Sequence, residues 1–339
     1  MYRITSLLLL TVLLAACDSA PVGPAAGIRG VNFVGMTVSD LEQSTGFYQY
    51  AAALETVEEL ASTELEPIAA LADDAAFRTR MLRSANAQLR LMQFEESAGL
   101  PAVPVNGPGI AHVCYQVNKN TRSYEKFLEK GAKALGSVEM VQLSEQNPVD
   151  YAYALDPDGI MFEVEHVDVS KLDLDEPPAN DYRVRHVSLA SPDLGALVDF
   201  YGILLGETEV RRIGRWLQLS GDKVDNVSGL PGSQLEMAWY QTRNLELEFV
   251  QYHSHPTERP ANPRPLNAPG YNMIVFDVGD LALARASLVA AGGEVASEAS
   301  PMDGGEIFFG RDPDGNLLGF QRTSPDAVVS SQNFDGNGL

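Results

Sequence analysis

The chain has 339 residues, 45% hydrophobic and 21% charged, which is enough for two ordinary domains with real cores and too apolar for wholesale disorder. With 24 Lys+Arg against 46 Asp+Glu its formal net charge is −22, which repels phosphate backbones and argues against nucleic acid as a partner. Neutral or cationic small molecules fit that balance better.

Residues 1–17, MYRITSLLLLTVLLAAC, start with one positive charge at Arg3, continue as an apolar run from Leu7 to Leu14 and end in small residues. The run is too short for a permanent membrane-spanning helix and fits the apolar part of a secretory signal. Leu14-Ala15-Ala16-Cys17 resembles the bacterial lipobox. That resemblance implies a signal peptide over 1–16, lipidation of Cys17 and a lipoprotein anchored in the cell envelope. Asp18 resembles the signal for retention at the periplasmic face of the inner membrane. An ordinary signal peptide that happens to end in Cys is the alternative. Residues 17–27 read as a tether. Cys114 is the only other cysteine, so no disulfide within the mature domain is expected, and its apolar neighbourhood suggests a core position.

Four similar units follow. The first, 28–95, opens with the alternating strand and helix of FVGMTVSDLEQSTGFYQYAAAL from Phe33, with Asp40 placed as a helix N-cap, and ends in a strand pair closing at Phe94. The second, 108–168, runs from GPGIAHVCYQVNK to the hairpin YALDPDGIMFEVEH, whose Asp-Pro-Asp-Gly sequence is a turn signal. The third, 182–253, repeats the first: HVSLASPDLGALVDFYGILLGE from His186, with Asp193 as N-cap, then a strand pair closing at Tyr252. The fourth, 268–323, repeats the second and ends in FGRDPDGNLLGFQR. Two domains are therefore expected at 28–168 and 182–323, joined by a linker at 169–181 and followed by a flexible tail at 324–339.

The His-Val strand start, the Ser-x-Asp-Leu helix opening, the Phe-Tyr pair on that helix and the Asp-Pro-Asp-Gly-x-x-x-Glu ending resemble the vicinal oxygen chelate superfamily. Glyoxalase I, extradiol dioxygenases, methylmalonyl-CoA epimerase and the bleomycin- and fosfomycin-resistance proteins belong to it. The resemblance spans 28–323 and implies an α+β fold of four βαβββ modules forming two cupped mixed β-sheets. It also implies metal ligands at two places per module, the start of the first strand and the middle of the last. Module one has Phe33 and Arg90 there, module two His112 and Glu163, module three His186 and Glu248, module four Met273 and Gly319. If modules two and three pair, and one and four pair, one cup collects His112, Glu163, His186 and Glu248 while the other is degenerate. Pairing in chain order would give each cup only one His and one Glu.

Two neutral imidazoles and two carboxylates suit one divalent metal, with Zn, Ni, Co, Mn and Fe all compatible. Glu163 or Glu248 could also act as base. Glu165 and Glu246 lie two residues from these carboxylates on the same strand faces, so Glu246 is an alternative to Glu248. His253 and His255 read as loop residues, and His166 as structural. The degenerate cup reads as apolar packing, with an anion held by Arg90 as the alternative.

The expected function is a lipid-anchored metal-dependent lyase or isomerase of the glyoxalase type, acting on a small molecule as a monomer or homodimer. An Fe(II) extradiol-type dioxygenase and a non-catalytic binding or resistance protein are the alternatives.

Overall fold

The computed structural model describes residues 26–172, 177–324 and 326–339. The signal segment and Cys17 lie outside the described residues, as does most of the tether.

Module one comprises β1 (Ile28–Thr37), α1 (Leu41–Ala52), β2 (Glu55–Ala61), α2 (Glu66–Leu71), β3 (Phe77–Arg83) and β4 (Gln88–Phe94). Module two comprises β5 (Gly109–Asn118), α3 (Ser123–Glu129), β6 (Lys133–Ala134), β7 (Val141–Gln142), β8 (Val149–Leu155) and β9 (Met161–Val167). Module three has β10 (Tyr182–Ala190), α4 (Leu194–Leu205), β11 (Arg211–Ile213), β12 (Leu219–Ser220), α5 (Asp222–Ser228), β13 (Gln234–Gln241) and β14 (Glu246–Tyr252). Module four has β15 (Gly270–Val278), α6 (Leu281–Ala290), β16 (Glu294–Val295), β17 (Ser300–Met302), β18 (Gly305–Arg311) and β19 (Leu317–Arg322). The N-caps fall where the sequence puts them: Asp40 accepts from the Glu42 and Gln43 amides, and Asp193 from the Ala196 amide.

The strands form two mixed sheets, each drawn from both halves of the chain. One runs β16-β18-β19-β15-β1-β4-β3-β2 and joins modules one and four; the other runs β11-β13-β14-β10-β5-β9-β8-β6 and joins modules two and three. In each, the first strands of the two modules lie antiparallel at the centre, β1 against β15 and β10 against β5. The expected module pairing is therefore the observed one.

Strand alternation sorts the side chains into two environments. Val34, Ile274, Phe276, Leu318 and Phe320 of the one-four sheet join Val113, Phe162, Val164, Val187, Leu247 and Phe249 of the two-three sheet in one core between the sheets and helices. The intervening residues face the two cups.

The repeated turns and helices fasten one sheet to the other. Tyr48 on α1 donates to Asp156 of the first Asp-Pro-Asp-Gly turn at 2.9 Å, and Tyr201 on α4 to Asp312 of the second at 3.1 Å. Hairpin asparagines clasp reciprocally: Asn244 bonds both backbone groups of Val31, and Asn86 both backbone groups of Val184. Burial raises Asp156 to about 7 and Asp312 to about 6, against the opposing hydrogen bonds each carboxylate accepts.

The C-terminal segment departs from the expected flexible tail. Val329 and Phe334 are buried, and the Ser331 amide and hydroxyl bond Asn32 and Asp277, each at 2.8 Å. Asn32 and Asp277 are fully buried polar groups on central strands, and the tail supplies partners that burial makes necessary.

Candidate metal centre

The cup of the two-three sheet gathers the four expected residues. On β9, Phe162 and Val164 enter the core while Glu163 points the other way; β14 does the same with Glu248 between Leu247 and Phe249. His112 and His186 come from the two antiparallel central strands, one register step apart, as His112 pairs with Ser188 and His186 with Cys114. All four residues are buried.

His186 Nε2 lies 2.9 Å from Glu163 Oε2 and 3.5 Å from Glu248 Oε1. His112 Nε2 lies 3.2 Å from Glu163 Oε2, 3.6 Å from Glu248 Oε1 and 3.2 Å from His186 Nε2. Bonds of about 2.1 Å to a central cation put neighbouring ligand atoms roughly 3.0 Å apart in an octahedral shell and roughly 3.4 Å apart in a tetrahedral one. The observed spacings fall on those edges. Without a cation, Glu248 Oε1 is a buried acceptor with no donor, which burial makes costly. A divalent cation fits this donor set.

Glu248 is held from behind. Trp239 Nε1, directly across the hairpin on β13, donates to Glu248 Oε2 at 2.7 Å and leaves Oε1 turned toward the imidazoles. Glu163 is held differently: among the described residues its hydrogen-bonding partners are the two imidazoles. Burial alone would raise the Glu163 carboxyl, but His112 and His186 outweigh it and hold the group well below the usual range. Burial opposes protonation of His186, yet Glu248 and Glu163 prevail and raise its pKa.

Glu165 and Glu246 take another role. Arg185 bonds Glu165 closely and lies 3.3 Å from Glu246, which also receives Arg211 at 2.9 Å. The Arg211 guanidinium stacks 4.4 Å above Trp239. These charges cancel in a row across the cup floor, so Glu248 reaches the imidazoles and Glu246 does not. The sequence reading missed Trp239, Arg185 and Arg211. The short turn of the β13–β14 hairpin, counted back from Glu248, leads to Trp239.

The other candidates fall outside the cluster. His166 accepts from the Tyr124 amide at the start of α3, and His255 contacts Ser254. Cys114 is a buried core residue, within ligand spacing of Glu163 and Glu165. Burial and those carboxylates push its thiol up, so it stays protonated.

The cup faces a cavity of about 250 Å³. Glu163, His186 and Glu248 line its inner end, and Tyr153, Tyr252, Val227, Leu235 and Met237 are among its walls.

The equivalent positions of the one-four sheet occupy the same register. Met273 pairs with Gly35 as His112 does with Ser188, and Phe33 with Val275 as His186 does with Cys114. Arg90 lies beside Gly35 as Glu248 lies beside Ser188, and Gly319 beside Val275 as Glu163 beside Cys114. This cup is filled. Leu65 and Ile68, at and next to α2, pack with Phe33, Met273, Val275 and Phe309. A Cβ on Gly319 would lie 2.8 Å from Val275 and 3.1 Å from Ile307. Arg90 is fully buried, 3.0 Å from both Glu58 and Asp303 and 4.6 Å from the Phe33 ring centre, so internal carboxylates take the place of an outside anion.

Comparison with known proteins agrees with this architecture. Residues 183–320 match the family model of the Glyoxalase/Bleomycin resistance protein/Dioxygenase superfamily. Glyoxalase I from Zea mays superposes with a TM-score of 0.59 at 18% identity, over 86% of this chain and 92% of its own. A candidate dioxygenase from Bacillus subtilis does so with a TM-score of 0.58 at 12% identity, over 89% and 87%. The search of curated proteins gives no match. Residues 183–320 thus match this superfamily, and the chain as a whole shares the fold of these solved structures, in a four-module, two-sheet form.

Proposed function

We propose that this protein is an exported, lipid-anchored metalloenzyme, a glyoxalase-like lyase or isomerase whose metal chelates neighbouring oxygens of a small substrate. The observation that carries the reading is the convergence of His112, Glu163, His186 and Glu248 at polyhedral spacing, with one buried carboxylate oxygen otherwise unpartnered. A divalent ion bound there supplies Lewis-acid polarisation of the chelated oxygens. Trp239 fixes Glu248 as a lasting ligand. Glu163, tied only to the imidazoles, is the carboxylate free to turn toward the substrate and take a proton at its oxygen. The apolar walls keep bulk water from the reacting carbon. The tether reading rests on Leu14-Ala15-Ala16-Cys17.

The test is metal content. The full chain, purified without chelators, is expected to carry near-stoichiometric metal by mass spectrometry, lost in His112→Ala and in His186→Ala. A folded wild-type chain that binds no metal overturns the reading. Fatty-acid labelling that disappears in Cys17→Ser checks the anchor.

A second reading has its own support. The three atoms within 3.2 Å of one another come from two His and one Glu, the set used by Fe(II) oxygenases, with Glu248 farther out. Oxygen uptake by the Fe(II)-loaded chain with a catechol would favour it.

A further inference from the structure

The cavity also carries information about the part of the substrate that the metal does not hold. Its charged lining groups are already neutralised. Arg185 is committed to Glu165 and Glu246, and Arg211 to Glu246 and the face of Trp239. Two carboxylates and a divalent ion would cancel likewise, so no lining cation is left to receive a second anionic group. Apart from Ser228, whose hydroxyl is bonded to that of Ser233, the remaining walls are apolar and aromatic and come from several elements: Val224 and Val227 on α5, Leu219 and Leu235 from the strands beside it, and Tyr153 and Tyr252. Ile213, 41% exposed, is also part of the lining.

From this lining we infer that the substrate is a chelating head on an uncharged apolar or aromatic body, and that adducts of anionic peptide-like thiols are not accommodated. The inference rests on the metal reading above. A carboxylate on the body would lose its hydration against these walls without a partner, whereas a phenyl group would bury apolar area.

The test uses three hydroxamates that share one metal-binding head: acetohydroxamate, benzohydroxamate and the monohydroxamate of succinate. Each is titrated into the full chain, purified in detergent and loaded with Co(II), and binding is read from the visible spectrum. Benzohydroxamate is expected to bind at least tenfold more tightly than acetohydroxamate, and the carboxylate-tailed probe no more tightly than acetohydroxamate. Val224→Asp should remove most of the phenyl advantage, bringing the affinities for benzohydroxamate and acetohydroxamate close to each other. A carboxylate-tailed probe that equals or exceeds benzohydroxamate overturns the inference while leaving the metal reading intact. Failure of acetohydroxamate to perturb the Co(II) spectrum, or of the chain to bind Co(II), overturns both.

Discussion

The two cups use one strand register for opposite ends. In the two-three cup, four facing positions carry His112, Glu163, His186 and Glu248, a donor set that fits a divalent cation; in the one-four cup the same positions carry Met273, Gly319, Phe33 and Arg90 in a packed interior. The other changes are coupled to these. Trp239, which holds Glu248, has Met81 as its counterpart beside Arg90. Where Val224 and Val227 of α5 leave a cavity, Leu65 and Ile68 fill one. A ligand set can be lost from this scaffold when its volume is replaced, because stability depends on filling the interior and not on the chemistry displayed there.

Substitution can break that contrast at several points. The largest effect should come from His112→Ala or His186→Ala, which remove metal from the two-three cup, while Phe33→Ala costs about 3–5 kcal/mol of stability and leaves metal content unchanged. Mass spectrometry and urea unfolding report the two halves of that statement. Arg90→Met strands Glu58 and Asp303 without their cation and should cost about 3–5 kcal/mol, again with metal retained. Trp239→Phe, with no indole N–H for Glu248, should weaken metal binding roughly 10- to 100-fold at little cost to the fold, measured by competition with a chelator. Gly319→Ala overpacks the filled cup and should destabilise by about 1–3 kcal/mol; an unchanged unfolding midpoint would show that the cup is looser than its contacts imply.

The most gradual effect, spread over several pH units, is a slope shared by both halves. Native Asp156, at about 7, and Asp312, at about 6, hold their protons more tightly than unfolded aspartate at roughly 3.9. The native state thus binds more protons in that window, and stability should fall as pH rises from about 4 to the folded pKa of each, by at most about 1.4 kcal/mol per pH unit per carboxylate. Unfolding of the metal-free chain between pH 4.5 and 8 should show this slope, flattened in Asp156→Asn and Asp312→Asn. Metal binding runs the other way: it must displace the proton that Glu163 and Glu248 favour on His186, so affinity should drop as pH falls.

Much of this was legible in the sequence because it is written twice. The repeats place Phe33 against His186 and Gly319 against Glu163, and the all-or-none distribution of ligand types selects the module pairing that the sheets display. Glu248 could not be separated from Glu246 on paper, since strand alternation puts both on one face; the separation comes from Arg185 and Arg211, which reach Glu246. The tail was misread because its polar sequence resembles a solvated end, and its partners Asn32 and Asp277 are buried only once β1 and β15 have paired. The Phe-Tyr repeat was visible as a motif, but its attachment of Tyr48 to Asp156 joins different sheets, which no spacing within a module reveals.

The reciprocal clasp of Asn86 on Val184 and Asn244 on Val31 relates the two halves of the chain as the subunits of a symmetric dimer are related. Two copies of either half alone, arranged in that way, would build two identical half-centres, each with one imidazole and one carboxylate. Joining unlike halves changes the stoichiometry to one complete centre per chain. The covalent link and the divergence of the halves together decide how many ions a molecule can carry.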